Sequence, residues 1–328
     1  MRTPNKFIIT ALLSVTYLVA CSPTSTPTQT LTPITVQLQW THQAQFAGMH
    51  AADQNGYYGE EGLKVTFVEG GAQVDRFTPV LDGTAQFSMA TADELILARA
   101  QGKPLRVIAT IYRRSPIVFI ALASTGITKP EEFTGKTIRV SANLVPSLHA
   151  MTTRVGVTPD QYTEVVLPSD VQMFASGEVP VWGGFSNGFI ISVLDAGYQI
   201  NWIYPDDYGV HFYADTLFAS DDLIAKNPDL VLRFLRATLK GWTYAVENPA
   251  DVSALVQKYN PDADPDLEIK KMTASIPLVN TGEDFIGWMK PQIWAEMAET
   301  LREQGVLTEP LDVTQVYTLQ FIEEIYGK

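Results

Sequence analysis

Five aromatic residues stand where apolar runs give way to loops: Trp40, Tyr112, Trp182, Phe185 and Tyr213. Amides accompany them at Gln43, Gln45, Asn143 and Asn187. Aromatic faces hold flat rings, and amides read the donors and acceptors of a ring edge. The chemistry on offer is noncovalent capture of a flat, polar-edged molecule. Trp40 ends the alternating stretch "VQLQW". Its ring either plugs a core or faces a ligand. Ala90, Gly183 and Gly184 are small enough for backbone to approach a ligand closely. Thr91 opens a helix whose first N–H groups are free donors, and equally reads as that helix's cap. Asn143 either caps a helix or contacts a polyol chain. Tyr208, Tyr213 and Asp215 precede a passage between lobes, where hinge residues line a cleft.

Bond-making chemistry finds no support. The histidines are His42, His50, His149 and His211, and none has zinc-site spacing with a second ligand. No Ser/His/Asp order emerges and no Gly-rich phosphate loop with Lys is present. Arg113 and Arg114 either hold a phosphate or form a solvated pair. The expectation is a binding protein without catalytic residues, metal or cofactor.

These residues need strands and helices to position them. Residues 34–39 read as a strand and 46–55 as a helix stopped by Gly56, with "KVTFVEG" the next strand. "VDRFTPVLDG" is a short helix and "AQFSMA" a strand. Thr91 and Glu94 make a capping box for the helix "ADELILARAQG". "LRVIATIY" is the following strand. This rhythm predicts an open α/β sheet. "SPIVFIALAST" then leaves for a second α/β set with the strands "KTIRVS" and "VPVWGG". Its helices are 144–153, "SDVQMFASG" and "GFIISVLDAG". The extended "YADTLFAS" returns to a long helical tail. Crossings near Ile120 and Leu217 divide the chain into a discontinuous lobe, 34–120 with 218–328, and an inserted lobe, 121–217.

The chain has 328 residues, with 23 Lys+Arg against 36 Asp+Glu and a net charge of −13. That balance argues against a nucleic-acid partner. Arg2 and Lys6 precede the short apolar run "FIITALLSVTYLVA", which reads as a secretory signal over residues 1–20. Cys21 is the only cysteine, so no internal disulfide forms. Its position after "LVA" resembles a bacterial lipobox. "SPTSTPTQTLTP" reads as a disordered tether, so residues 21–33 would link a lipidated Cys21 to the folded part. The expected location is the extracytoplasmic face of the cell membrane.

From Val36 onward the chain resembles the extracytoplasmic substrate-binding proteins of ABC importers. The nearest branch binds the thiamine pyrimidine precursor, with riboflavin, sulfonate and nitrate binders as relatives. The resemblance rests on Trp40 with Gln45, Phe46, Ala47 and Gly48, on "ADQNGYYGEEGLKVTFVEGG", on residues 90–93 and on "GWMKPQIW". It implies the two-lobed type II periplasmic-binding-protein fold, closing over one ligand. Together with the readings above, it makes the expected ligand contacts Trp40, Gln45, Ala90, Thr91, Tyr112, Asn143, Trp182, Phe185, Asn187 and Tyr213. Its expected partners are a small aromatic vitamin or precursor and ABC permease subunits, the protein itself being a monomer. Pyrimidine binders resemble a Gly, aromatic, Asn, aromatic, Glu pattern near Asn187, where this chain has Gly188 in the acid's place. They also often carry Asn and His where Gln45 and Phe46 stand. A site rich in aromatics and amides and poor in cations suits riboflavin, with a formylaminopyrimidine as runner-up and a sulfonate or nitrate behind it. Eukaryotic relatives make the pyrimidine with a cysteine-rich motif and iron, which a chain with Cys21 alone does not carry. If Cys21 bears the lipid, Cys21→Ser releases the protein from the membrane fraction. Retention of that variant in washed membranes would refute the anchor.

Overall fold

The computed structural model describes Met1 and residues 30–71 and 74–328. The signal, Cys21 and most of the tether lie outside the described residues. Residues 31–328 form one compact unit containing two five-stranded sheets. The first sheet has the order β2-β1-β3-β10-β4, with β1 Thr32–Gln37, β2 Leu63–Val68, β3 Phe87–Ala90, β4 Leu105–Tyr112 and β10 Ala214–Ser220. The second has the order β7-β6-β8-β5-β9, with β5 Ile117–Leu122, β6 Thr137–Arg139, β7 Thr163–Val165, β8 Val181–Phe185 and β9 Ile200–Ile203. In each sheet the early strands run parallel, and the strand entering from the other sheet runs antiparallel. This is the α/β, two-lobed fold of periplasmic binding proteins.

Three boundaries differ from the sequence expectation. Thr32 and Pro33 already pair with Leu63 and Lys64, so the first strand starts inside the expected tether. β5 belongs wholly to the second sheet and β10 to the first. The passages between sheets are therefore residues 113–116 and 204–213, upstream of Ile120 and Leu217. Apolar strands flank each passage, so the change of sheet leaves no mark in hydropathy. β7 and β9 were not foreseen, because both are short and β7 is half exposed.

Glycine sets the closest helix packing of the first lobe. Helix Ala47–Gln54 crosses helix Pro228–Glu247 with Gly48 against Trp242 and Gly241 against Gly48. A Cβ on Gly48 would lie 2.2 Å from Trp242 Cγ, and one on Gly241 would lie 2.0 Å from the Gly48 carbonyl oxygen. Helix Ala92–Ala100 is started by Glu94, whose carboxylate accepts from the Thr91 N–H at 3.1 Å and hydroxyl at 3.0 Å. Overpacking a tight contact costs about 1–3 kcal/mol. Gly48→Ala should lower the denaturant midpoint by that equivalent, and an unchanged midpoint would show that the two helices can separate freely.

Candidate functional site

A cavity of about 240 Å³ opens at the carboxyl ends of β1, β6 and β8. That is the edge where open α/β sheets bind ligands. The first lobe contributes Gln39, Trp40, Gln43 and Gln45 from the loop after β1, together with Arg76. The second contributes Arg139, Ser141 and Asn143 after β6, Ser169, and Gly184, Phe185 and Asn187 at β8. Lys271 comes from helix Pro265–Val279.

The Trp40 loop is held from below. The Trp40 carbonyl accepts from the Gly70 N–H at 3.0 Å, and a Cβ on Gly70 would lie 2.3 Å from the Leu38 carbonyl oxygen. Glu69 accepts from the His42 N–H at 2.8 Å, and Glu268 from the Ala44 N–H at 2.6 Å. The His42 and His50 rings meet at 3.0 Å between Nδ1 and Nε2, and the His50 ring stacks on Tyr259. Burial holds both imidazoles below their usual range, the His50 ring well below it. Trp40 itself is half-buried: it packs on the first lobe's core and lines the cleft.

Asp215 organises the amides. It is fully buried and is the one non-glycine among the described residues with positive φ, 50°. Gln39 Nε2 donates to its Oδ1, and Gln45 Nε2 donates to its two oxygens at 3.2 and 2.9 Å. Burial raises its carboxyl to about 7, against the pull of those amides and of Arg76.

The lining carries three cations and no carboxylate among the described residues, which corrects the expectation of a cation-poor site. Arg76 pairs with Glu94 at 2.5 Å and Lys271 with Glu268 at 2.6 Å. Arg139 is buried and bonded to neutral oxygens: the Leu167 carbonyl at 2.9 Å, the Gly183 carbonyl at 2.9 Å and Ser169 Oγ at 3.3 Å. Two contacts span the cleft from helix Pro265–Val279 to the second lobe. Asn187 Nδ2 donates to Ser275 Oγ at 2.7 Å, and Lys270 pairs with Asp195.

Of the residues singled out in the sequence, Trp40, Gln45, Asn143, Phe185 and Asn187 come together at the cleft. The other five do not line it. Ala90 is buried within β3, its carbonyl taken by the Thr216 hydroxyl at 2.8 Å. Thr91 is buried as a helix cap. Tyr112 is fully buried, edge-on to Trp242 at 6.2 Å. The Trp182 ring is buried behind the cleft, among Phe174, Ile190 and Val193, with Nε1 donating to the Val179 carbonyl at 2.9 Å. Tyr213 lies beside the second passage, where its hydroxyl accepts from the Lys290 N–H at 3.1 Å. Arg113 and Arg114 are not a phosphate cradle. Asp284 holds Arg113 at 2.8 Å and Glu283 faces Arg114 at 3.7 Å. Gln39, Arg76, Arg139, Ser141, Ser169 and Lys271 were missed. The strand-end arginine of "KTIRVS" was the one readable signal among them. No group of three or more His, Cys, Asp or Glu among the described residues could hold a metal ion.

The chain belongs to the NMT1/THI5-like family, whose model matches residues 43–252. It is 27% identical over 320 residues to the riboflavin-binding protein RibY of Chloroflexus aurantiacus, covering 92% of this chain and 91% of that protein. It is 26% identical over 319 residues to the formylaminopyrimidine-binding protein of Halalkalibacterium halodurans, covering 92% and 96%. Its fold matches the periplasmic aliphatic sulphonate binding protein SsuA of Escherichia coli with a TM-score of 0.66 at 14% identity, covering 87% of this chain and 91% of that one.

The Asp215 carboxyl titrates near 3.8 when exposed and about 7 in the fold. The folded protein therefore holds this proton where the unfolded chain has lost it, and the carboxyl's contribution to stability falls as pH rises through that window. The melting-temperature difference between Asp215→Asn and the parent should move in the variant's favour from pH 4 to pH 8. A pH-independent difference would mean that the carboxyl is not held by burial.

Proposed function

We propose that this protein is the extracytoplasmic solute-binding component of an ABC importer, capturing riboflavin and handing it to membrane permease subunits. The observation that carries the reading is Trp40, half-buried at the mouth of a strand-end cleft and surrounded by amides and cations without a carboxylate. A flat ring laid on Trp40 would keep its polar edges against Gln39, Gln45 and Asn187. The Arg139 guanidinium and the Arg76 side chain suit the electron-rich carbonyls of an isoalloxazine, whose electronics proteins tune by nearby charge. Similarity to the riboflavin-binding relative along nearly the whole chain supports the same ligand. The contacts made by Asn187 and Lys270 across the cleft suit a clamp that closes on its ligand. A lipid on Cys21 would keep the clamp beside its permease. Catalysis of the pyrimidine-synthase kind is not part of the proposal, because the chain's single cysteine lies at the expected lipobox.

One observation favours a second reading. The cavity of about 240 Å³ is small beside typical ligand pockets of roughly 300–1,000 Å³. A single-ring formylaminopyrimidine would fill it with less opening of the lobes, and a relative of that name is similar over most of the chain.

Purified protein titrated with riboflavin should quench flavin fluorescence. Stacking of a base on an aromatic is worth about 1–3 kcal/mol by alanine substitution. Trp40→Ala should then weaken binding roughly tenfold or more. Its effect on stability should stay below the about 3–5 kcal/mol of a deleted core tryptophan. Unchanged affinity with a large loss of stability would make Trp40 a core plug. Tight binding of an aminopyrimidine without riboflavin binding would overturn the first ligand in favour of the second.

A further inference from the structure

An amide committed at one end is fixed at the other. Gln39 is only 3% exposed, and its Nε2 is given to the buried carboxyl of Asp215. Gln45 gives its Nε2 to the same carboxyl. While that carboxyl is ionised, above its raised range near 7, neither amide can turn its oxygen toward it without facing acceptor to acceptor inside the protein. The Gln45 oxygen is already used, accepting from Gln43 Nε2 at 2.9 Å. The Gln39 oxygen is not. Gln39 Oε1 is buried, has no partner among the described residues, and belongs to a side chain of the cleft wall. The facing wall repeats the arrangement. Asn187, 5% exposed, gives its Nδ2 to Ser275, and its Oδ1 is buried without a partner. Buried carbonyl oxygens are rarely left this way in a finished site.

We propose that Gln39 is the cleft's reader of a ligand N–H, its carbonyl oxygen held toward the ligand by Asp215, with Asn187 accepting a second donor from the opposite wall. The ligand class is a heterocycle bearing at least one N–H on its edge, with a second donor, N–H or hydroxyl, for Asn187. Sulfonates and nitrate offer no donor at these points and are excluded by the same two oxygens. The inference rests on the reading of this cleft as a heterocycle site and narrows it. Asp215 and Gln45 are positioning residues: they fix which end of Gln39 faces inward.

The test is a double-mutant cycle between protein and ligand. Calorimetric titrations of the intact protein would use two ligand pairs: riboflavin with 3-methylriboflavin, and 4-amino-2-methylpyrimidine with its 4-dimethylamino counterpart. Methanesulfonate serves as the donor-free probe. In the parent protein, N-methylation of the ligand that binds should cost roughly tenfold or more in affinity, the scale of losing a hydrogen bond at a buried acceptor. In Gln39→Leu, which keeps the bulk but not the acceptor, that ratio should fall to about threefold or less. Asp215→Asn should lower it too, because a carboxamide offers one donor and one acceptor and lets Gln39 turn. The parent comparison and the Asp215 variant keep the test decisive if Gln39→Leu folds poorly. A full methylation effect in the aminopyrimidine pair alone, abolished by Gln39→Leu, would sink the flavin and keep the Gln39 role. The role itself falls if methylation costs nothing in the parent, or if Gln39→Leu retains the whole ratio. It also falls if methanesulfonate outbinds both heterocycles. Failure of every heterocycle to bind overturns both the ligand reading and this one.

Discussion

One buried carboxyl group ties the cleft together. Asp215 is where the chain, returning from the second sheet, enters β10 between β3 and β4. Its positive φ turns the side chain toward the end of β1 at some conformational expense, about 1–3 kcal/mol for a non-glycine residue. The return on that strain is connectivity. Gln39 from the extension of β1 and Gln45 from the turn after it converge on the same two oxygens. The Trp40 ring sits between these two anchors in sequence, so its position follows from theirs. Gly70 below and Glu268 behind complete the seat.

Charge is distributed against the grain of the whole protein. The chain carries −13, yet the lining of the cleft holds only cations among its charged groups. Arg76 and Lys271 are balanced by Glu94 and Glu268 behind the wall, so the uncompensated charge of the lining is that of Arg139. Arg139 is the expensive member, since taking an ion out of water costs several kcal/mol. Part of that is offset by the Trp182 ring, whose centre lies 5.7 Å from the guanidinium. Trp182 thus serves the site without lining it, backing the cation from the neighbouring position on the same face of the second sheet.

The sequence carried the architecture well and the site unevenly. The apolar run "LRVIATIY" located β4 to the residue, and Thr91 with Glu94 marked a real helix start. Trp40, Asn187 and Phe185 were readable because each stands at, or within three residues of, the carboxyl end of a strand. Trp182 was misjudged because it stands early in β8, where Phe189 stacks on it, whereas Gly184 and Phe185 at the strand's end line the cleft. Tyr112 and Tyr213 were aromatic at strand ends, but helix Pro265–Val279 and the Lys290 backbone cover them. Lys271 could not be read at all, because it comes from a helix of the tail that only the tertiary fold brings to the cleft.

Helix Pro291–Glu303 has a different kind of importance. Trp294, Met297 and Leu301 share one apolar cluster with Ile96 and Phe218 of the first lobe and with Phe119, Ile138 and Leu148 of the second. The inserted half therefore has no core entirely its own on this side. During synthesis its strands emerge long before the helix that closes them, and domains generally fold as they leave the ribosome. Until that helix appears, the cluster that holds Phe119 and Leu148 lacks Trp294, Met297 and Leu301. An export pathway that threads unfolded chains would find this one conveniently late to fold: a segment made long after both sheets is the one that locks the two halves together.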